Sequence, residues 1–205
     1  MVAALAEVQC PRLAELGLES LLREVELPLV GVLAAMEREG LKLDAERLAE
    51  VGAGFGERID QLEKDIYELA EEEFTIGSPQ QVGRILFEKL ELSRKRRGKT
   101  GFSTDARVLQ QIRDEHPIVE KIESWRELTK LKNTYLDSLP DLIDPATGRV
   151  HTTFNQAATT TGRLSSTNPN LQNIPIRSDI GRPVRACFVA AEGARLLSAD
   201  YSQVE

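Results

Sequence analysis

Cysteine and histidine are nearly absent from this 205-residue chain, which has two of each. Cys10 and Cys187 lie far apart with no CxxC pair, and His116 and His151 stand alone, so neither a disulfide framework nor a Cys/His zinc site is indicated. A reducing cytoplasm suits that composition. No stretch approaches the roughly eighteen apolar residues of a membrane span, and Met1 to Cys10 lacks the positive charge that precedes a signal peptide's apolar core. Neither membrane spanning nor export is expected. The excess of cations that coats nucleic acid is missing too, because 26 Lys and Arg stand against 33 Asp and Glu, a net charge of −7. What is present is 41% apolar and 29% charged, enough for one or two small hydrophobic cores.

The charge is unevenly spread. Residues 1 to 74 carry 7 basic and 18 acidic side chains, a balance of −11, whereas residues 75 to 205 carry 19 basic and 15 acidic, a balance of +4. A polyanion should prefer the second part. Its densest stretch is Arg94-Lys95-Arg96-Arg97-Gly98-Lys99, five cations in six residues. A solvated loop and a polyanion contact both fit such a run.

Periodicity makes the first two thirds helical. Leu48, Val51, Phe55, Ile59, Leu62, Ile66 and Leu69 recur at steps of three and four, one stripe of a long helix opening after Asp44. Gly52, Gly54 and Gly56 each weaken its first turns by roughly 1 kcal/mol relative to Ala, so that end is expected to bend or fray. An earlier helix has Pro28 near its first turn, Leu29, Val32, Leu33 and Met36 inside, and Gly40 as its stop. Ser78-Pro79 opens a third, with Val82, Ile85, Leu86 and Leu90 inward. Thr104 is placed to cap a fourth that buries Val108, Leu109 and Ile112. The fifth carries Ile118, Ile122, Trp125, Leu128, Leu131 and Tyr135 on one stripe, with Lys121, Arg126, Lys130 and Lys132 elsewhere. Arg126 and Lys130, one turn apart, can hold two neighbouring phosphates, or can simply pair with Glu123 and Glu127.

Helix periodicity stops at the turn cluster Asp144-Pro145-Ala146-Thr147-Gly148. From His151 to Arg177 the chain is rich in Thr, Ser, Asn and Gln, a stretch expected to lack regular structure. Its amides can donate to the acceptors that every base pair shows in the minor groove, or can close Asx-turns on their own backbone. Beyond it, Arg185 to Val189 and Ala194 to Asp200 read as two short strands paired around Glu192-Gly193. Asp200 then stands at a strand end, where one carboxylate can reach a metal, and with Gln203 it also has the shape of a capping box.

Three ordered blocks carry a resemblance: Thr161-Gly162-Arg163-Leu164-Ser165-Ser166, then Asn168-Pro169-Asn170-Leu171-Gln172-Asn173-Ile174-Pro175, then Asp200-Tyr201-Ser202-Gln203-Val204-Glu205. They resemble the signatures of family A DNA polymerases, the bacterial DNA polymerase I group. The segments around Pro28, Lys99 and Arg126 to Lys132 are similar to that family as well, so the likeness covers nearly the whole chain.

The resemblance implies a mostly α fold with a small α+β portion, a helical thumb of long antiparallel helices followed by an incomplete antiparallel palm sheet. Residues 1–25 would end an exonuclease-like domain, 26–139 would begin the polymerase region with its thumb, and 140–205 would be the N-terminal part of the palm, cut after the first metal-binding block. The implied activity is template-directed DNA synthesis, nucleotidyl transfer to a primer 3′-hydroxyl in replication and repair. Its partners would be primer-template duplex DNA and deoxynucleoside triphosphates, with no membrane, in a monomer of the bacterial cytoplasm and nucleoid.

By the same resemblance, Asp200 is the catalytic, metal-binding aspartate, and the Tyr201 carbonyl helps hold the same Mg²⁺ of a two-metal site only partly encoded here. Tyr201 and Gln203 would border the incoming nucleotide, and Glu205 would be the steric gate against a ribose 2′-hydroxyl. Arg163, Asn170, Gln172, Asn173 and Arg177 would track the primer-template minor groove and backbone. Ser78, Lys99, Ser103, Thr104, Arg126 and Lys130 would grip duplex phosphates, although Thr75-Ile76-Gly77-Ser78 replaces an asparagine-containing turn common in the family. The second catalytic aspartate and the nucleotide-binding helix are not in these residues, so the 205-residue piece alone is expected to be inactive. A non-catalytic duplex-binding module is the alternative, and a carboxylate beside phosphate at Asp200 argues against it.

Overall fold

A computed structural model describes residues 2–92, 97–98, 101–176, 179–199 and 201. The chain divides into two compact units, one of Asp44–Asp141 with Pro175–Cys187, the other of Met1–Leu43, Leu142–Ile174 and Phe188–Glu205.

The first of these is helical. Asp44, in extended backbone, accepts the Arg47 N–H at 3.0 Å and caps α3 (Ala45–Ala70). The steps of three and four bury Leu48, Phe55, Ile59 and Ile66, while Val51, Leu62 and Leu69 are half-buried. The helix runs unbroken through Gly52, Gly54 and Gly56, contrary to the expected fraying. A Cβ at Gly52 or Gly56 would lie 3.8 Å from Leu136 Cβ or 3.9 Å from Lys132 Cε, ordinary contact distances, so neither position requires bare backbone.

Ser78 caps the next helix, α4 (Pro79–Arg84), its Oγ 3.5 Å from the Gln81 N–H, and a π turn (Ile85–Lys89) extends it. A two-residue pair, β2 (Arg97–Gly98) with β3 (Gly101–Phe102), leads to α5 (Ala106–Gln111) and then α6 (Pro117–Leu131), which a second π turn (Lys132–Leu136) prolongs. Helices α3 and α6 are antiparallel. Lys121 Nζ meets Asp65 Oδ2 at 2.6 Å and Trp125 Nε1 donates to Glu63 Oε1 at 2.9 Å, while Lys132 and Leu136 reach Gly56 and Gly52. Ile66, Phe74, Ile85, Leu86, Phe87, Leu109 and Ile118 lie in the core that these helices share. One cap differs from expectation: Asp105, not Thr104, caps α5, its Oδ1 accepting the Val108 N–H at 2.9 Å. An anionic carboxylate suits a helix N-terminus better than a hydroxyl, and Thr104 is buried and engaged elsewhere. A short helix α7 (Gly181–Arg185) completes this unit.

The other unit opens with α1 (Val2–Glu15), a π turn (Leu21–Glu26) and α2 (Leu27–Glu39). Pro28 stands in the first turn of α2 as expected, although the helical chain reaches it from the π turn before it. The ladder changes from π to α spacing around that residue, which has no N–H to give. Gly40, at φ 63°, stops α2 as anticipated. A four-stranded antiparallel sheet follows in the order β4 (Ile143–Asp144), β5 (Arg149–Val150), β1 (Leu41–Leu43), β8 (Phe188–Val189). The pairs are Ile143 with Val150, Leu41 with Val150 and Leu43 with Phe188. The β4–β5 turn is the expected Asx-turn, with Asp144 accepting from the Ala146 N–H at 2.9 Å and the Thr147 hydroxyl at 3.0 Å. Those bonds hold its carboxyl below the usual range.

Two expectations fail here. Arg185 to Val189 does not pair with the described residues 194–199: Arg185 ends α7, β8 pairs with β1, and residues 194–199 form no strand, while Asp200 lies outside the described residues. Leu196 and Leu197 are exposed, the latter by 93%, and β8 ends the sheet with β1 as its one neighbour among the described strands. The stretch after His151 is also not structureless, since β6 (Thr153–Asn155) pairs with β7 (Ser165–Thr167), Phe154 opposite Ser166. Hydroxyl-rich strands lack the apolar alternation that announces a ladder.

Candidate nucleic-acid interface

The polar and cationic residues singled out in the sequence fall into two clusters, one in each unit. In the helical unit the segment 102–105 is pinned at three points. Phe102 packs on Phe87 with ring centroids 5.0 Å apart. Thr104, 4% exposed, accepts from Arg126 twice: Nη1 donates to its carbonyl at 2.5 Å and Nη2 to its hydroxyl at 3.1 Å. Ser103 Oγ donates to Asp105 Oδ2 at 2.8 Å, bracing the carboxylate that caps α5.

Arg126 therefore pairs with neither Glu123 nor Glu127 by hydrogen bond, although Glu123 acts on it at longer range. Burial pulls the guanidinium below its ordinary value, and the charge of Glu123 works against that. Glu123 is itself pushed up by burial, opposed by Arg113, whose guanidinium reaches it at 3.5 Å and Glu120 at 2.8 Å. Lys130, one turn further, is exposed. The two cations stand at the expected spacing, but Arg126 turns its donor fork inward. Ser78 is half-buried in a turn where the Thr75 N–H donates to Gln81 Oε1 at 2.7 Å. Lys99 and most of the basic run lie outside the described residues.

The second cluster is the β6–β7 hairpin and the loop after it. Thr152, a buried hydroxyl, lies 3.0 Å from the Thr167 carbonyl and 2.7 Å from that of Pro169. Ser166, 1% exposed, accepts the Leu171 N–H and donates its own N–H to Gln172 Oε1, each at 3.1 Å. Gln172 Nε2 donates to the Leu164 carbonyl at 2.9 Å, and its N–H donates to Asn170 Oδ1 at 3.1 Å. So Asn170 makes an Asx-turn, and Gln172 spends both ends of its amide on the hairpin. Arg163, Asn170 and Asn173 are exposed, and Thr159 Oγ donates to the Arg163 carbonyl at 2.6 Å.

Residues that sequence reasoning passed over hold this hairpin. Glu37 of α2 accepts the Phe154 N–H at 2.6 Å, and its carbonyl accepts from His151 Nδ1 at 2.8 Å. Gln156 Nε2 donates to the Glu26 carboxylate at 2.7 Å. An α2 carboxylate facing a Thr-rich strand leaves no periodic trace, so no sequence signal marked them. Of the third block, Tyr201 is exposed by 86%, and Asp200, Gln203 and Glu205 lie outside the described residues, as does Arg177. The described residues hold no group of three or more His, Cys, Asp or Glu able to bind a metal. None of their helices is long and apolar enough to cross a membrane.

Comparison with known proteins now bears on these clusters. Residues 45–205 match the model of DNA polymerase family A. The chain is 52% identical over 187 residues to the thermostable DNA polymerase I of Thermus aquaticus, an alignment covering 90% of this chain and 22% of the relative. To DNA polymerase I of Geobacillus stearothermophilus it is 51% identical over 188 residues, 91% of this chain and 22% of that one. It thus spans about a fifth of the length of these relatives. Its fold matches the polymerase domain of Pol1 from M. smegmatis, solved in complex with a DNA primer-template and dNTP, with a TM-score of 0.87 and 40% identity over 94% of this chain and 34% of that one. Helical and sheet-bearing parts alike fall within that match, and with more than three quarters of its residues inside the family's own pattern, the chain belongs to DNA polymerase family A.

Proposed function

We propose that the polymerase to which this chain corresponds performs template-directed DNA synthesis, and that these residues supply its grip on the primer-template together with one metal-binding aspartate. The observation that carries this is the likeness, across nearly all of the chain, to a polymerase domain that holds a primer-template and a dNTP. On this reading residues 1–25 end an exonuclease-like domain, 26–139 begin the polymerase region and thumb, and 140–205 are the first part of the palm. Ser78, Lys99, Ser103, Thr104, Arg126 and Lys130 serve the duplex backbone from the thumb. Arg163, Asn170, Gln172, Asn173 and Arg177 serve the minor groove and backbone near the primer end. The protein works as a monomer in the bacterial cytoplasm.

The chemistry is in-line displacement: the primer 3′-oxygen bonds to the α-phosphorus of the incoming nucleotide and pyrophosphate leaves. Asp200 with the main-chain carbonyl of Tyr201 is an all-oxygen donor set, the kind that Mg²⁺ takes while keeping several waters. Bound there, the ion would neutralise developing charge on the phosphoryl oxygens. Tyr201 and Gln203 border the nucleotide, and the bulk of Glu205 excludes a 2′-hydroxyl.

Two measurements test this. Anisotropy of a labelled primer-template titrated with the chain should show affinity that falls steeply with salt, with a logarithmic slope of about −4 if roughly four phosphates are neutralised. Binding indifferent to salt refutes the grip. In the polymerase that contains this segment, Asp200→Ala should cut nucleotide incorporation by about a thousandfold or more. Undiminished incorporation removes Asp200 from catalysis.

A further inference from the structure

We propose that Arg126 is a positioning residue, which acts on the duplex through the segment 102–105 rather than by binding a phosphate itself. The inference rests on the duplex-binding reading of the helical unit given above.

The argument starts from what a guanidinium fork can do at one time. Its paired N–H groups match two acceptors side by side, and a phosphate and Thr104 present the same kind of pair. In the structure the fork is taken, with Nη1 on the Thr104 carbonyl at 2.5 Å and Nη2 on the hydroxyl at 3.1 Å. Thr104 is 4% exposed, so no water replaces those bonds if the fork swings out to a phosphate. Two buried acceptors would then be left empty, which is the expensive outcome for polar groups away from solvent. The guanidinium has already given up part of its own hydration, as its lowered pKa records.

The location of the latch gives it a role. Ser103 and Asp105 flank Thr104, and Asp105 caps α5 with help from the Ser103 hydroxyl. Phe102, on the other side, packs on Phe87, and Gly83 of α4 runs so close that a Cβ there would stand 3.5 Å from the Phe102 carbonyl and 3.8 Å from Thr104 Cγ2. The segment is therefore clamped between α4 and α6, with Arg126 as its polar fastening on the α6 side. A short segment that offers the Ser103 hydroxyl to phosphate works only if its register on the helices is fixed, and the fork fixes both main chain and side chain of one residue. Lys130, exposed on the next turn, is the cation of α6 left for direct contact.

Direct and indirect action separate on salt dependence. The 205-residue chain is titrated on a fluorescent primer-template at several salt concentrations as wild type, Arg126→Lys, Arg126→Gln, Thr104→Val, the Arg126→Lys/Thr104→Val double variant and Lys130→Gln. Removing a phosphate contact lowers the logarithmic salt slope by about 1, as expected for Lys130→Gln. If Arg126 positions, Arg126→Lys keeps the charge but loses the fork, Thr104→Val keeps every charge, and each weakens binding by about tenfold with the slope unchanged. The double variant then loses no more than either single one, because both break the same fastening. Amide exchange without DNA gives a second readout: Arg126→Lys and Thr104→Val both speed exchange across 102–109. The proposal is overturned if Arg126→Lys binds like wild type while Arg126→Gln lowers the slope by one, or if Thr104→Val leaves both binding and exchange unaltered. Should the wild-type chain bind no duplex, the duplex reading fails by itself, and unchanged exchange in 102–109 is what would dismiss the latch.

Discussion

Gly40 is the residue whose replacement the structure prices most clearly. It ends α2 at φ 63° and ψ −174°, a region that side-chain-bearing residues hardly enter. A Cβ built there would lie 2.8 Å from each of His151 Cε1, His151 Nδ1 and the Val150 carbonyl oxygen. Gly40→Ala must therefore bear backbone strain of about 1 to 3 kcal/mol. It must also push the imidazole off the Glu37 carbonyl, now 2.8 Å away, for about another 1 kcal/mol, and move β5 to clear its carbonyl. A total near 4 kcal/mol corresponds to amide exchange faster by roughly two to three orders of magnitude in 41–43 and 149–150. Gly148 supplies the control, since its φ is 65° but nothing lies within 4 Å of a Cβ built on it. Gly148→Ala should cost only the strain, about 1 kcal/mol, or roughly fivefold in exchange. Measured by hydrogen exchange with mass spectrometry, equal acceleration in the two variants would refute the reasoning, because the close approach to His151 and Val150 would then contribute nothing.

Two further outcomes follow from buried and paired groups. Cys187 is buried, its thiol donating to the Pro183 carbonyl at 3.3 Å and pushed above its ordinary value by burial, whereas Cys10 is exposed. An aromatic disulfide reagent at pH 8 should therefore titrate one thiol promptly and the second only in denaturant, and two prompt equivalents would place Cys187 within reach of solvent. Asp65 is held below its ordinary 3.8 by the hydrogen bond from Lys121 and then by that from Gln61. A depressed carboxyl lends stability that is complete above its unfolded value and lost as pH falls through its folded one. The small advantage of wild type over Lys121→Met, read from urea midpoints of the fluorescence of the lone Trp125, should accordingly hold above about pH 5 and close below about pH 3. An advantage that persists to pH 2 would show that Asp65 is not its source.

The helices were legible because burial repeats at the α period: the stripe from Leu48 to Leu69 and that from Ile118 to Tyr135 both turn inward as their spacing requires. Legibility ended where a residue's role depends on a partner far along the chain. Gly52 and Gly56 read as weak points, yet α3 runs through them unbroken, tied along its length to α6. Thr104 and Asp105 are both acceptable caps, and only the arrival of Arg126, 22 residues later, decides between them. Phe188 and Val189 have the character of a strand, but local alternation cannot reveal that their partner is β1 rather than the next apolar run. The π turns at Leu21, Ile85 and Lys132 had no precursor in composition at all. For the interface, the three blocks were readable as a family pattern, yet spacing could say that Arg126 and Lys130 are neighbours without saying which way each faces.

That limit has a common physical root in the accounting of backbone polar groups. A helix leaves its last carbonyls without partners, and α2 delivers its own at Glu37, Glu39 and Gly40 to a place where strands must pass. The fold answers with donors from the strand side: Arg149 Nη1 reaches the Glu39 and Gly40 carbonyls at 3.1 and 3.2 Å, and His151 Nδ1 reaches that of Glu37. Cationic and N–H donors suit the negative end of a helix, so the pairing is favourable both as hydrogen bonding and as charge against dipole. Glu37 then returns the exchange, its carboxylate taking the Phe154 N–H. With three residues of one strand segment tied to the end of one helix, the hairpin that carries Arg163 and the Asn/Gln loop has its origin set by groups that never face a ligand. Gln172 carries the same logic into the hairpin, bridging Ser166 and Leu164. Polar residues turned inward to satisfy backbone thus decide where the exposed Arg163 and Asn173 are presented. Composition cannot tell the two kinds apart, because an amide that braces a loop and an amide offered to a groove are the same residue type.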